Sequence, residues 1–234
     1  MKTLKYLLLC PFSFFLFSEE TEPYVLSYEE GGIEIQGQFL DDLQVGTWKA
    51  FYKNGSLKEK AEWSGGELEG KIESFYEDGK NQSIGNFKKG FQTGLWSYFH
   101  ITGFIESKGS FIEGSRSGEW TFYDDQGAIK SRGLFENNRE NGPFVFFHSN
   151  GKEESKGSFI EGSRSGEWTF YDDQGAIKSR GLFENNRENG PFVFFHSNGK
   201  EESKGLHKNG LKIGIWKHFN PQGKFIFNTK YINR

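Results

Sequence analysis

His100, His148 and His196 recur at an even spacing and are the first side chains whose type invites a chemical reading. Imidazoles hold zinc only when three or four donors converge within a few ångströms. In the strand architecture argued below, each histidine is roughly 19 Å from the next, so the column reads as solvent-facing turn residues rather than a metal site. His207 and His218 have no cysteine to join, because Cys10 is the chain's one cysteine. Asp124-Asp125 and Asp172-Asp173 resemble paired carboxylates. Each pair precedes a hairpin glycine, Gly127 or Gly175, where Asp serves its local backbone hydrogen bond. Calcium would need acids at alternating positions, which these segments lack. Serines fall in the turns, as at Ser115 and Ser117, with no G-x-S-x-G elbow and no adjacent base. The expectation is a chain with no catalytic, metal or cofactor-binding residue, and with partner-binding residues that the sequence does not single out.

Composition sets the elements that carry these residues. Of 234 residues, 31 are Gly and 41 are Phe, Trp or Tyr, whereas only 4 are Ala. Glycine without a three-residue period and rich in neighbouring rings fits neither collagen nor a flexible linker. Leu, Ile, Val and Phe supply about a quarter of the chain, above the roughly 20% below which disorder is expected. Net charge is only -3, so the chain should fold. Scarce helix formers and abundant rings predict an all-β protein.

Repetition sets the architecture. Residues 106–157 are identical to 154–205 over 52 positions, and a 24-residue period lies beneath that copy. Gly46, Gly70, Gly94, Gly118, Gly142, Gly166, Gly190 and Gly214 mark it, and a second glycine follows each, nine residues on, from Gly55 to Gly223. A third column, Gly85, Gly109, Gly133, Gly157, Gly181 and Gly205, has Ala61 in the first unit and Thr229 in the last. Runs such as GTWKAFYKNG and GEWTFYDDQG are short aromatic strands bounded by turn residues. Asn54-Gly55 and Asp78-Gly79 read as hairpin turns, and Asn138 and Asn186 replace Gly in the turns between units, since Asn best tolerates positive φ. Each unit is then a β-hairpin, and successive hairpins must stack, because one alone is barely stable in water. The expected fold is an elongated antiparallel meander of repeated hairpins. It divides into residues 19–45, a degenerate first repeat, and 46–234, eight units giving about sixteen strands and a ribbon about 75 to 80 Å long. Rings are expected to lie over glycines, although the register that says which ring covers which glycine is not readable from the sequence.

Residues 1–18 read as a signal peptide: Lys2 and Lys5, then the apolar run Tyr6–Phe17, then acidic residues from Glu19. The chain is therefore expected to be exported to the bacterial periplasm, cell envelope or exterior. Cys10 also raises lipidation, but Leu9 stands where a small residue is normally required. Without these residues the chain has 27 basic and 32 acidic side chains and no cysteine, so stability must come from packing. Interleaved charge, as in Lys152-Glu153-Glu154, argues against nucleic acid, and a net acidic chain argues against a membrane surface.

Residues 46–79, GTWKAFYKNGSLKEKAEWSGGELEGKIESFYEDG, carry a G-x-W-x-x-F/Y-Y segment, then N-G, a charged strand and a return to Gly. This pattern resembles the MORN repeat family in its bacterial variant, and the resemblance extends over roughly residues 22–234. Such repeats occur in the YwqK-type antitoxin family, so the resemblance implies binding of a protein partner, in the manner of an antitoxin or immunity protein, rather than catalysis. Two other readings stay open: an envelope protein that recognises wall glycan or choline through aromatic rings, and a structural spacer. The Trp position holds Ile72, Phe144 and Phe192 in three of eight units. An aliphatic Ile can pack over Gly but cannot join a cation cage, so packing is the preferred role of this column. An enzyme needs a unique constellation, which an exact internal copy does not supply.

Overall fold

The computed structural model describes residues 20–232, so the expected signal peptide and Cys10 lie outside the described residues. Eighteen strands follow one another: β1 (Glu22–Ser27), β2 (Ile33–Leu40), β3 (Leu43–Phe51), β4 (Leu57–Ser64), β5 (Glu67–Phe75), β6 (Asn81–Lys88), β7 (Phe91–Phe99), β8 (Ile105–Ile112) and β9 (Ser115–Tyr123). The series continues with β10 (Ile129–Glu136), β11 (Arg139–Phe147), β12 (Glu153–Ile160), β13 (Ser163–Tyr171), β14 (Ile177–Glu184), β15 (Arg187–Phe195), β16 (Glu201–Lys208), β17 (Leu211–Phe219) and β18 (Phe225–Tyr231). Every strand pairs antiparallel with its sequence neighbours, from β1–β2 through β8–β9 and β9–β10 to β17–β18. The result is one open meander sheet, and the all-β expectation holds. Among the described residues the count is eighteen strands: sixteen, β3–β18, in the eight units and two more in the degenerate first repeat, which also closes as a hairpin, β1–β2. At about 4.8 Å per strand, the sheet runs about 80 Å along its hydrogen-bonding direction.

The 24-residue period follows from the hairpin's parts. In the repeat beginning at Leu43, a nine-residue strand leads into the loop 52–56, an eight-residue strand follows, and Gly65-Gly66 reverse the chain. Two kinds of turn alternate. Within a hairpin, Gly55 donates its N–H to the Tyr52 carbonyl at 2.8 Å and Tyr52 donates to the Ser56 carbonyl at 2.8 Å, a loop that needs one positive φ at Gly55. Between hairpins, only two residues turn, and both take positive φ: Gly65-Gly66, Glu113-Gly114 and Asn137-Asn138 are examples. The sequence placed the second kind too broadly. Ser115 and Ser117 belong to β9, and the turn itself is Glu113-Gly114 alone.

The core lies on one face and is built on a row of equivalent side chains. Trp48, Ile72, Trp96, Trp120, Phe144, Trp168, Phe192 and Trp216 occupy equivalent positions, and all are buried. Each lies on the third-column residue eleven positions earlier. A Cβ on Gly109 would stand 2.3 Å from Trp120 Cδ2, and one on Gly133 only 1.9 Å from Phe144 Cδ2. These glycines are present for space, not for φ. The register also corrects one expectation: Ile72 lies over Ala61, to which it pairs directly, rather than over a glycine. Where the small residue gains a methyl, the ring is replaced by an aliphatic chain, and volume is conserved across the contact.

A second column, Phe39, Trp63, Phe87, Phe111, Phe135, Phe159, Phe183, His207 and Tyr231, meets the first edge to face. Phe111 and Trp120 have centroids 5.2 Å apart at 89°, and Phe159 and Trp168 5.2 Å apart at 87°. From Phe87 to Tyr231 these contacts form an unbroken chain of the geometry that the ring quadrupole favours. Trp96, Trp120, Trp168 and Trp216 also donate their indole N–H to backbone carbonyls at 3.1–3.2 Å.

Size complementarity across the register is directly testable. Gly109→Ala should destabilise the protein by about 2 kcal/mol, because the methyl displaces a buried indole. Adding Trp120→Ile should recover part of that loss, as the Ala61–Ile72 pair does natively. Urea unfolding of both single variants and the double variant measures the coupling, and strict additivity would contradict it.

Candidate functional site

The histidine column is not a set of solvent-facing turn residues. His100, His148 and His196 are partly buried, and each Nε2 lies 2.9–3.2 Å from a carbonyl of the next hairpin, on Tyr123, Tyr171 and Phe219 respectively. A carbonyl only accepts, so these imidazoles carry their proton on Nε2. Tyr28, Tyr52 and Tyr76 hold the same position in earlier units and donate their hydroxyls to Phe51, Phe75 and Phe99 carbonyls at 2.6–2.7 Å. Asp124 and Asp172 take this position in the other copies and instead accept from the backbone N–H groups of their own loops, at 2.8–3.0 Å. The column stitches hairpin to hairpin or closes a loop. Among the described residues, no three His, Cys, Asp or Glu side chains converge.

His207 occupies a ring position, 5.0 Å from both Phe192 and Trp216. Its Nδ1 is buried without a hydrogen-bond partner. Burial holds its pKa below the usual value, with Glu188 opposing the shift and Lys212 adding to it. His218 stacks on Phe227 at 4.5 Å and meets Thr229 Oγ1 at 3.1 Å.

Cations of the chain cover the buried indoles. The Arg116 guanidinium carbon is 4.7 Å from the Trp120 ring centroid, that of Arg164 is 4.4 Å from Trp168, and Lys212 Nζ is 4.1 Å from Trp216. These distances fit cation–π attraction. Desolvation lowers the Arg164 pKa, while Glu154 and Glu188 oppose that shift. The same column holds Glu140 and Glu188 where the covered ring is Phe144 or Phe192. Trp120, Trp168 and Trp216 thus each carry a cation, whereas Trp48 and Trp96 have the uncharged Gln44 and Gln92 at that position.

The first hairpins depart from this scheme at three neighbouring positions. Gln44 stands where Arg116 and Arg164 stand, Ala50 replaces Phe122 and Phe170, and Glu59 replaces a column of serines from Ser83 to Ser203 that are all buried. The departures line a cavity of about 320 Å³ that opens to solvent, bordered by Tyr24, Phe39, Trp48, Trp63, Gln44 and Glu59 among others. Trp48 differs again in that its buried indole N–H has no acceptor. Loss of hydration raises the Glu59 pKa, against the opposing charge of Lys58. The sequence reading did not find this cavity. Its signal was present in the 24-residue columns, in the coincidence of Gln44, Ala50 and Glu59 around one ring; Gln92 repeats the first change at Trp96 but Tyr98 and Ser107 keep the other two positions.

The fold and its site define an open, single-sheet β-hairpin repeat protein whose irregularity lies near its N-terminal edge. Four hairpins, residues 44–64, 68–89, 116–137 and 164–185, match the family model described as MORN repeat variant. No curated protein matches the chain. Among solved structures, similarity extends to the TCP10 domain of Danio rerio CPAP in complex with a peptide of Danio rerio STIL, at 12% identity over 91% of this chain and 100% of that one, TM-score 0.39. A porin-like protein from Bacteroides uniformis is 13% identical over 71% of this chain and 87% of its own, TM-score 0.20. Both scores are too low to bear on function.

Two titrations should be visible in stability. His207 is bound less tightly to its proton in the folded state, so stability is full above pH 6.5 and falls as pH drops through the lowered folded value. His207→Phe should remove that loss and add about 1 kcal/mol at neutral pH by eliminating the orphaned ring nitrogen, measured by urea unfolding at about pH 5 and pH 7.5. Glu59 has the opposite sign. Its raised folded pKa leaves stability intact below 4.5 and lowers it as pH rises through the folded value, so Glu59→Gln should be neutral in acid and stabilising above it.

Proposed function

We propose that this chain is an exported, non-catalytic repeat protein that binds a protein partner, with an antitoxin- or immunity-like role as the particular form suggested by its resemblance to the YwqK-type family. The observation that supports this reading is the use already made of every chemically capable column. Indoles cover glycines, imidazoles and phenols bridge hairpins, and aspartates close loops. What remains for function is the surface of a long sheet. Recognition of wall glycan or choline through a repeated row of exposed rings is less well supported, because the Trp column is buried throughout.

A spacer role is the second reading, favoured by the internal copy. The two copies make the same contacts: Trp120 and Trp168 donate to Ser110 and Ser158, both at 3.2 Å, so gaining two hairpins changed length without changing packing. Deleting residues 106–153 removes two whole repeat periods in register. The shortened protein should remain folded and soluble, with cooperative unfolding; aggregation would contradict the modular fold. Capture of a partner by the tagged full chain and by the deletion variant separates the readings, since a spacer attached at its ends keeps its partners and a binder that uses this region loses its own. Rescue of growth on co-production with a toxic neighbouring gene product tests the antitoxin form, and a mature N-terminus at Glu19, read by mass spectrometry, tests export.

A further inference from the structure

We propose that the cavity over Trp48 is a seat for an arginine side chain of a polypeptide partner. The repeat supplies its own control. Gln44, Trp48, Ala50 and Trp63 stand three repeat periods before Arg116, Trp120, Phe122 and Phe135. Those four later residues are a filled seat: the Arg116 guanidinium carbon lies 4.7, 5.9 and 5.8 Å from the centroids of Trp120, Phe122 and Phe135. Arg164 repeats the arrangement over Trp168, Phe170 and Phe183 at 4.4, 5.8 and 5.9 Å. Lys212 fills the last one, over Trp216 and Tyr231.

At Trp48 two of the three rings are kept, Trp48 and Trp63, and the cation is missing; Trp96 also lacks a cation, but there Tyr98 keeps the ring and Gln92 donates to its hydroxyl at 3.1 Å. Gln44 brings no charge, and Ala50 leaves the volume of a phenyl ring open. Tyr24, Phe39 and Trp63 border the space on its other sides. The third change adds what the filled seats lack, a carboxylate. Glu59 forms no ion pair among the described residues, and the nearest opposing charge, Lys58, is turned to the Tyr52 ring at 5.7 Å. Lys49 also borders the cavity, but its β-sheet partners Gln36 and Lys60 belong to the opposite face from Trp48. Aromatic walls with a carboxylate beside them suit a guanidinium, which stacks on aromatic faces while its N–H groups pair with both carboxylate oxygens. A quaternary ammonium would use the rings and leave Glu59 without a donor. The seat opens beside β1, an edge strand whose Tyr24 and Leu26, on the same face as Trp48, are 36% and 40% exposed, so a polypeptide carrying the arginine would find apolar surface next to it.

This inference rests on the reading that the partner is a protein, and its test does not require that partner. The full chain is titrated with acetyl-Gly-Arg-Gly-amide, its citrulline counterpart and tetramethylammonium, following the indole N–H resonances by NMR. The arginine peptide should shift the Trp48 resonance and leave those of Trp120 and Trp168 in place, and the citrulline peptide should bind at least about tenfold more weakly. Glu59→Gln should weaken arginine binding about tenfold. Gln44→Arg should abolish it while keeping the fold, because the chain then fills its own seat. Equal binding of citrulline, undiminished binding to Gln44→Arg, or tighter binding of tetramethylammonium would overturn the assignment. A failed titration with successful partner capture leaves the protein-binding reading standing and removes only the seat.

Discussion

The structure depends on one contact: a flat ring on one strand occupying the space that a missing side chain leaves on the strand before it. A single open sheet has no second layer to bury its rings, so each ring must be covered within the sheet itself. Strands lie about 4.8 Å apart, too close for two large side chains to lie flat side by side. Alternating ring and glycine across the sheet solves this. Trp96 pairs with Gly109, and Trp120 then lies on that same Gly109. The second column packs edge to face against the rings on either side of it. Each hairpin is thereby completed by the next, which is why the unit is stable only in series.

Backbone geometry serves this contact. The register shifts at the third column in each unit, between Lys108 and Ser110 for example, and the facing strand takes Gly118 at a φ of 72° to absorb the shift. The bulge gives the indole room to lie over Gly109. The two-residue turns confine the remaining freedom, with Asn137 and Asn138 accepting the left-handed region where other units use Gly. Polar columns add bridges to the next hairpin at little conformational cost, since a tyrosine hydroxyl and a histidine Nε2 reach the same carbonyl position.

Against such regularity, departures carry meaning. His207 in a ring position leaves a buried nitrogen without a partner, a local loss of stability that the fold tolerates near its end. Gln44, Ala50 and Glu59 depart together, and their coincidence around one indole creates a shaped space with aromatic walls and a carboxylate. In a protein whose other buried rings are used in packing, that space combines aromatic walls with a carboxylate.

Periodicity and composition by themselves determined the class of fold, the hairpin unit, the glycine columns and the positions of most turns, because those features depend on local φ and on strand alternation, both written in neighbouring residues. The asparagine turns at 137–138 and 185–186 were legible for that reason. Register was not, since pairing depends on where the bulges fall, and so the partner of each ring, the match of Ile72 to Ala61 and the bridging role of His100 were decided only in three dimensions. The cavity over Trp48 lies between these cases. Its three unusual residues are visible in the aligned repeats, but they are separated along the chain, and only the pairing of β3 with β2 and β4 brings them around one ring.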